Sequence, residues 1–518
     1  MYIAIKLKIL ILTMFLSIPS YGMLTDTVAR GGYLYVVYTD HLDTYDLTDT
    51  YRKLIGSIQY EESILPINAD IDNNRIFVYY YYDEDNNGIR IYDMQYPHTP
   101  SLIKEISIPN SLIQGGYLSS WENVIGQRGQ FLAFGNYLLF VSSTSLDTDS
   151  DSYAYKPYRY NISTDELYQY TFNHTLSVTT DCDPMAEDDI LYYDTFFVTD
   201  GDYFTISRES SIFTTNRTEM LYNNPCFMYQ GYSHVKYGFA TGPYATIEHK
   251  ILAHWTGIEE PGNFLGSGVV IVDTWHYPGL WSFFFSDFLC TYADKHSGNI
   301  GEINNSNSQY DVQGIIVHNG EIYLSSYYTR SIAHTYYYQD WGTSMSCQDY
   351  WNFYDLPETG RPYGIAAANA TLYVAGKDKL YEFPLAKPDE ELPVGDVYSA
   401  NKDDTTFTVS GWAGDSEGIK QITVRLDNVY QFVVDRISNC RFEPPCQGHC
   451  LPIDRCTDWI LQIPLQNILP GSYTMKVIAE DMDGDFSVIH EQVIDIHGGQ
   501  LLNMNEGVGI KPGYGLKK

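Results

Sequence analysis

Gly31–Leu47 reads GGYLYVVYTDHLDTYDL, and the folding of this stretch decides the folding of most of the chain. A Gly-Gly pair opens it, where a tight turn wants residues that accept positive φ. LYVV follows, apolar at successive positions, so both faces of this strand must be covered. A polar hairpin then leads to a second strand that ends in Tyr-Asp. The same unit returns as NNRIFVYYYYDEDNNGIRIYDM, Asn73–Met94, and as FGNYLLFVSS from Phe134. Further copies are DTFFVTDGDYFTIS from Asp194, GSGVVIVDTW at Gly266–Trp275, HNGEIYLSSYY from His318, and YGIAAANATLYVAGKDKLYEF at Tyr363–Phe383. The closing strands end at Asp46, Asp93 and Asp273, with Glu382 in the last copy. The spacing averages roughly 50 residues, the size of a propeller blade. A single unit cannot bury both of its faces, so copies must stack, and radial closure removes their exposed edges. The expected fold is all-β, with an N-terminal β-propeller of about seven blades over residues 23–384.

Two tracts carry a family resemblance. VIVD at Val270–Asp273, and GIRIYDMQYPHTPSLIKEISI from Gly88, resemble the LVIVD-repeat β-propellers. In that family a strand ends in Asp, a Pro-containing link follows, and the next blade begins. The last copy, PYGIAAANATLYVAGKDKLYEF, is more similar to an NHL or gluconolactonase-type blade. Between Asp147 and Gly262 the match is weak and long insertions intervene. The resemblance implies a fold and no particular chemistry, since propellers host hydrolases, lyases and binding scaffolds alike.

PLAKPDEELPVG, with three prolines and a run of acids, reads as an interdomain linker over residues 385–395. Beyond it, FTVSGWAGDSEGIKQITVRLDNV and LQNILPGSYTMKVIAEDMDGDFSVIHEQVIDI alternate with period two. These give strand–turn–strand readings that suit a β-sandwich over residues 396–497. VSGWAGDSEGIKQITVRLDN, followed later by LPGSYTMKVIAEDMDGD, resembles a bacterial immunoglobulin-like domain. That resemblance implies a partly buried Trp412, and turns closed by Asp415 and Asp481. It also implies a module of the kind appended to secreted enzymes and surface proteins, acting as a spacer. Residues 498–518 read as a flexible tail.

The totals narrow the function. Charged residues make up 19% and hydrophobic ones 44%, so the bulk is globular. Lys and Arg number 31 against 65 Asp and Glu, a net charge of -34. A chain this acidic repels phosphate backbones, so no nucleic-acid partner is expected. Residues 1–22, MYIAIKLKILILTMFLSIPSYG, combine Lys6 and Lys8 with a short apolar run and a small-x-small site. This is the pattern of a secretory signal peptide, and the run is too short to span a bilayer. No later stretch is apolar enough to be a transmembrane segment. The expected location is periplasmic, extracellular or at the cell surface.

Cysteines number eight. Cys440, Cys446, Cys450 and Cys456 lie in a loop at 439–457, and Cys182, Cys226, Cys290 and Cys347 lie in irregular parts of the propeller. In an oxidising compartment an even number reads as disulfides. A zinc site at the cluster, with His449 as a further ligand, would want C-x(2–4)-C pairs, and only the central pair fits. Each group of four allows three connectivities; Cys182–Cys226 and Cys290–Cys347 are the simplest among the propeller four. Calcium is the cofactor the acidic runs suit. Asp147, Asp149 and Asp151 alternate in LDTDSDSY, as do Asp83, Asp85 and Asn87 in DEDNNG, but neither run has the remaining EF-hand ligands. In the second run, Asn-Gly alone explains a hairpin turn. No local pattern supports nucleophilic catalysis: there is no G-x-S-x-G elbow and no H-E-x-x-H. The sequence therefore favours a binder of extracellular protein or glycan over an enzyme. The alternative is a lactonase- or glycan-directed propeller hydrolase with calcium in the central channel.

Overall fold

The computed structural model describes residues 22–49, 51–60, 66–83, 86–108, 131–145, 153–169, 362–377, 379–386, 392–415, 418–435 and 455–496. Between 171 and 357 it describes the individual strands and residues 356–357. Residues 1–21, six of the cysteines (Cys182, Cys290, Cys347, Cys440, Cys446 and Cys450), most of the 439–457 loop and the tail lie outside the described residues. The protein is all-β; the one helical turn among the described residues is a short 3-10 turn, Leu465–Asn467. Among the described residues no helix is long and apolar enough to cross a membrane.

Small antiparallel sheets follow one another along the chain, arranged as in a β-propeller. The first holds Leu24–Arg30, Tyr33–Tyr38, His41–Asp46 and Lys53–Gln59 in sequential order. The second holds Pro66–Asp72, Arg75–Asp83, Asn86–Asp93 and Ser101–Ser107 in the same order. The third spans residues 131–169, and later sheets follow through to Pro362–Ala368, Thr371–Gly376 and Leu380–Pro384. In the fourth, Thr171–Asn173 adds in parallel beside Cys226–Tyr232. The opening strand of each sheet, or in the fourth sheet Phe197–Thr199, lies beside its counterpart in the next, and Pro362–Ala368 returns to lie beside Leu24–Arg30.

The sequence explains the hairpins. In four of the sheets the first two strands are joined by two residues, the first of them with positive φ: Gly31 (followed by Gly32, also positive), Asn73, Gly135 or Asn369. Only Gly, or Asn at modest cost, takes that conformation in so short a loop. The second strands are buried on both faces: Leu34, Tyr35, Val36 and Val37, then Phe77, Val78 and Tyr79, are fully enclosed. The tyrosines of VYYYYDED are thus largely packing residues, with Tyr79 and Tyr80 in two different core clusters.

Each opening strand is an edge strand, with backbone N–H groups that its own sheet leaves unpaired. Carboxylates from the preceding sheet meet some of them. Asp26 accepts the Ala69 N–H at 2.8 Å, and Asp70 accepts the Ala133 N–H at 2.8 Å. The first three sheets are thereby clasped in series. On its other side Asp26 fills the space at Gly364, where a Cβ would stand 1.6 Å from its Oδ1. We expect Asp26→Ala to cost about 1–3 kcal/mol, because a buried N–H loses its acceptor. A denaturant midpoint equal to that of the parent would show the clasp to be dispensable.

The C-terminal part forms two sheets. Val394–Lys402, Thr406–Asp415 and Arg455–Pro464 make one; Ile419–Leu426, Tyr430–Asp435, Gly471–Asp481 and Phe486–Ile496 make the other. They enclose one apolar cluster that includes Val409, Leu461, Val424, Phe432 and Val477. Trp412 is half-buried and Trp459 is buried. The Asp481 carboxylate closes the turn after its strand, accepting N–H bonds from Asp483, Gly484 and Asp485.

Candidate functional site

The acidic runs fare differently from one another. Asp147, Asp149 and Asp151 lie outside the described residues, as does Asp85. Asp83 ends its strand and pairs with Asn86, the first residue of the next. Asn87 and Gly88 are therefore strand residues, which corrects the reading of Asn-Gly as the turn. Gly88 is required for a different reason: a Cβ there would meet the Ile106 carbonyl oxygen at 2.4 Å. Among the described residues, no group of three or more His, Cys, Asp or Glu is arranged to hold a metal ion. Cys456 is buried at the start of the Arg455–Pro464 strand.

The largest constellation of charge was not legible in the sequence. It lies where the C-terminal sheets meet the hairpin turns of the ring. Arg425, fully buried, donates to Asp46 Oδ1 at 2.9 Å and to the Gly31 carbonyl, with its guanidinium 3.3 Å above the Tyr33 ring. Burial alone would raise the Asp46 pKa, but the Arg425 charge and bonds from Thr48 bring it below the usual carboxylate value. Glu480 accepts the Gly31 N–H, and Arg30 stands 3.6 Å from its other oxygen. Arg30 also donates to Gln421 at 2.9 Å. Gln431 donates to Asn74 Oδ1 at 3.0 Å, and its backbone N–H to Gln95 O at 2.8 Å. Phe486 N–H donates to Asn369 Oδ1 at 2.8 Å. Ile478 and Phe486 join the same apolar cluster as Leu34, Phe77 and Tyr363 of the ring. The C-terminal sheets, expected to act as a spacer, are thus packed against the ring along a buried polar seam.

A second cluster lies at the opposite end of the first sheet. His41 Nδ1 contacts Asp40, and its Nε2 stands 3.7 Å from Asp43. The ring stacks on Tyr38, with centroids 4.1 Å apart. Burial works to lower the imidazole pKa, but bonds and charge from Asp43 and Asp40 outweigh it and raise the value. Carboxylates near both nitrogens favour the protonated ring. A general base would need a free lone pair.

The third feature is exposed. Among the described residues, the outermost strands of the first three sheets, Lys53–Gln59, Ser101–Ser107 and Glu166–Gln169, each have a neighbour on one side only. They turn Leu54, Leu102, Ile103 and Leu167 to solvent, and Tyr51 just before them is 84% exposed. Neighbouring sheets touch beside these edges: Gly56 abuts the Pro97–His98 backbone just before Ser101–Ser107, and Lys104 pairs with Asp165 and donates to Ile162 O at 2.7 Å. The outer rim of the three sheets thus carries exposed aliphatic side chains. The seam and the His41 cluster turn their charges inward; the rim is the part of this region that a partner could reach.

No family model matches the chain, and no curated protein matches it. Solved structures do. One is a functionally unknown protein from Desulfotomaculum acetoxidans, 8% identical, covering 64% of this chain and 89% of that one, with a TM-score of 0.33. Another is apo AztD from Citrobacter koseri, 10% identical, covering 68% and 79%, TM-score 0.34. A third is the β-propeller domain of the Trilobed protease from Pyrococcus furiosus, 8% identical, covering 72% and 97%, TM-score 0.36.

Proposed function

We propose that this is a secreted or cell-surface binding protein. Its propeller, of seven blades, recognises an extracellular protein, and its immunoglobulin-like C-terminal module is fixed against one end of the ring. The observation that carries the binding role is the aliphatic rim on the outer strands of the first three sheets. Apolar side chains contiguous on a surface mark interaction sites, and a strand with a free edge can pair with a strand from a partner. Leu54, Leu102, Ile103 and Leu167 outnumber the one exposed aromatic beside them, Tyr51, and this mainly aliphatic surface suits a protein partner better than a glycan. Export rests on the residues 1–22 pattern, and the eight cysteines fit disulfides in the oxidising compartment it leads to.

The test is the double substitution Leu102→Asp with Ile103→Asp, assayed against a panel of immobilised extracellular proteins. For each protein that the parent binds through the rim, affinity should fall by about tenfold or more, as expected when central apolar contacts are replaced by charge. The thermal midpoint should stay where it is, because both side chains are exposed. Unchanged affinity across the ligands bound by the parent would overturn the rim as the recognition surface.

A further inference from the structure

The turn after Gly471–Asp481 reaches into the ring at His318, the last residue of the Val312–His318 strand. His318 and Asp485 are both completely enclosed. The imidazole Nδ1 lies 3.0 Å from the Asp483 carbonyl oxygen. Its Nε2 lies 3.1 Å from Asp485 Oδ1 and 3.3 Å from the Asn369 carbonyl oxygen. Both nitrogens therefore face oxygen acceptors. A neutral imidazole has one donor and one lone pair, so in either tautomer it would turn a lone pair onto an oxygen. With Asp485 ionised, only the imidazolium, a donor at both nitrogens, satisfies this site.

The surroundings agree. From the C-terminal turn, the charged groups are Asp481, Asp483 and Asp485; Asp481 is occupied with the N–H groups of its own turn. From the neighbouring strand, Glu321 is the register partner of His318 and accepts the Tyr323 hydroxyl at 2.5 Å. The Asn369 hairpin offers only its carbonyl to the ring, its side-chain oxygen being bonded to Phe486 N–H. Among the described residues the direct partners of His318 are oxygen acceptors, and Lys420 is the cation whose charge reaches Asp481 and Asp483.

We propose that docking of the C-terminal sheets on the ring is proton-linked, with His318 carrying the proton and the Asp483–Asp485 turn reading it. The module is then a cap over the ring end built by the Gly31, Asn73 and Asn369 hairpins, held shut by an imidazolium. Burial works against the charged ring, but the bond to Asp485 and the charges of Asp485 and Asp483 prevail, and the pKa stands above its ordinary 6.5. A raised value in the docked state fixes the sign. The proton's contribution to docking is complete below the ordinary imidazole value and is lost as pH rises through the raised one. Mildly acidic conditions close the cap and alkaline ones loosen it. This linkage is independent of what the rim binds.

Hydrogen exchange on the full chain tests it, read at two amides that exist only across the seam. These are Phe486 N–H on Asn369 and Gly31 N–H on Glu480. Protection, corrected for base catalysis, is followed from about pH 5.5 to about pH 9. It should fall about tenfold for each pKa unit that separates the docked from the undocked imidazole. His318→Gln, which keeps one donor and cannot titrate, should remove the slope and lower protection at acidic pH. Asp485→Asn should flatten the profile from the other partner. A flat profile in the parent, or the parent's slope persisting in His318→Gln, overturns the proposal. If His318→Gln does not fold, the ¹⁵N shifts of His318 in the parent decide: a neutral ring below the ordinary imidazole value overturns it, a doubly protonated ring upholds it.

Discussion

Arg425→Ala should destabilise the protein by about 3–5 kcal/mol, the cost of leaving a buried partner charge uncompensated. Arg425 is fully buried, and its removal strands the Asp46 carboxylate and the Gly31 carbonyl and empties the space above the Tyr33 ring. The loss should appear in denaturant unfolding as a lower midpoint. Two companions separate charge from volume. Arg425→Met with Asp46→Asn removes both charges and keeps most of the packing, so it should recover a large part of the loss, because paired buried ions are worth little more than apolar isosteres. Arg425→Met alone should remain poor, since Asp46 is still ionised. A single Arg425→Ala variant within about 1 kcal/mol of the parent would mean that the pair contributes no more than an exposed one, and that the seam is held elsewhere.

Trp459→Ala should cost a similar amount, about 3–5 kcal/mol for a large aromatic removed from a packed core. Trp459 sits in the C-terminal cluster with its ring against Gly411, where a Cβ would stand 2.7 Å from it. The informative part is where the loss is felt. Ile478 and Phe486 belong to the ring's apolar cluster although they sit on C-terminal strands. Weakening the module should therefore withdraw support from the ring, and calorimetry should show the ring's transition moving down with the module's. A ring transition that stays in place while the module's falls would mean the two melt as independent units.

The repeating hairpin could be read from the chain because it is built from local signals. LYVV, IFVY and LYVA are strands enclosed on both faces, and the preceding Gly or Asn supplies the positive φ that a two-residue turn demands. The Asn87-Gly88 pair shows how the same signal misleads. Its glycine answers the approach of the Ile106 carbonyl from the next strand, which a turn propensity cannot convey. The seam could not be read at all. In QITVRLDN, Arg425 alternates like any solvent-facing strand residue, and its acceptor, Asp46, is 379 positions away. His318 was one of thirteen scattered histidines; its partners come from a turn 165 residues further on, and from Asn369. Spacing rules see ligands that are neighbours in sequence, and these groups become neighbours only when the ring and the C-terminal sheets meet.

The order of strands within the sheets also governs when the molecule can be finished. The first sheet is made wholly of residues 24–59 and the last of the ring wholly of residues 362–384, so neither lends a strand to the other. Arg52 and Glu382 pair directly across the closure at 2.8 Å, and the C-terminal sheets add bonds on both of its sides, with Glu480 accepting the Gly31 N–H and Phe486 N–H donating to Asn369. A growing chain can stack and close its sheets as they emerge, and the Gly471–Asp481 and Phe486–Ile496 strands then brace the closed ring. A truncation before the Gly471–Asp481 strand should leave a ring that closes but is less stable.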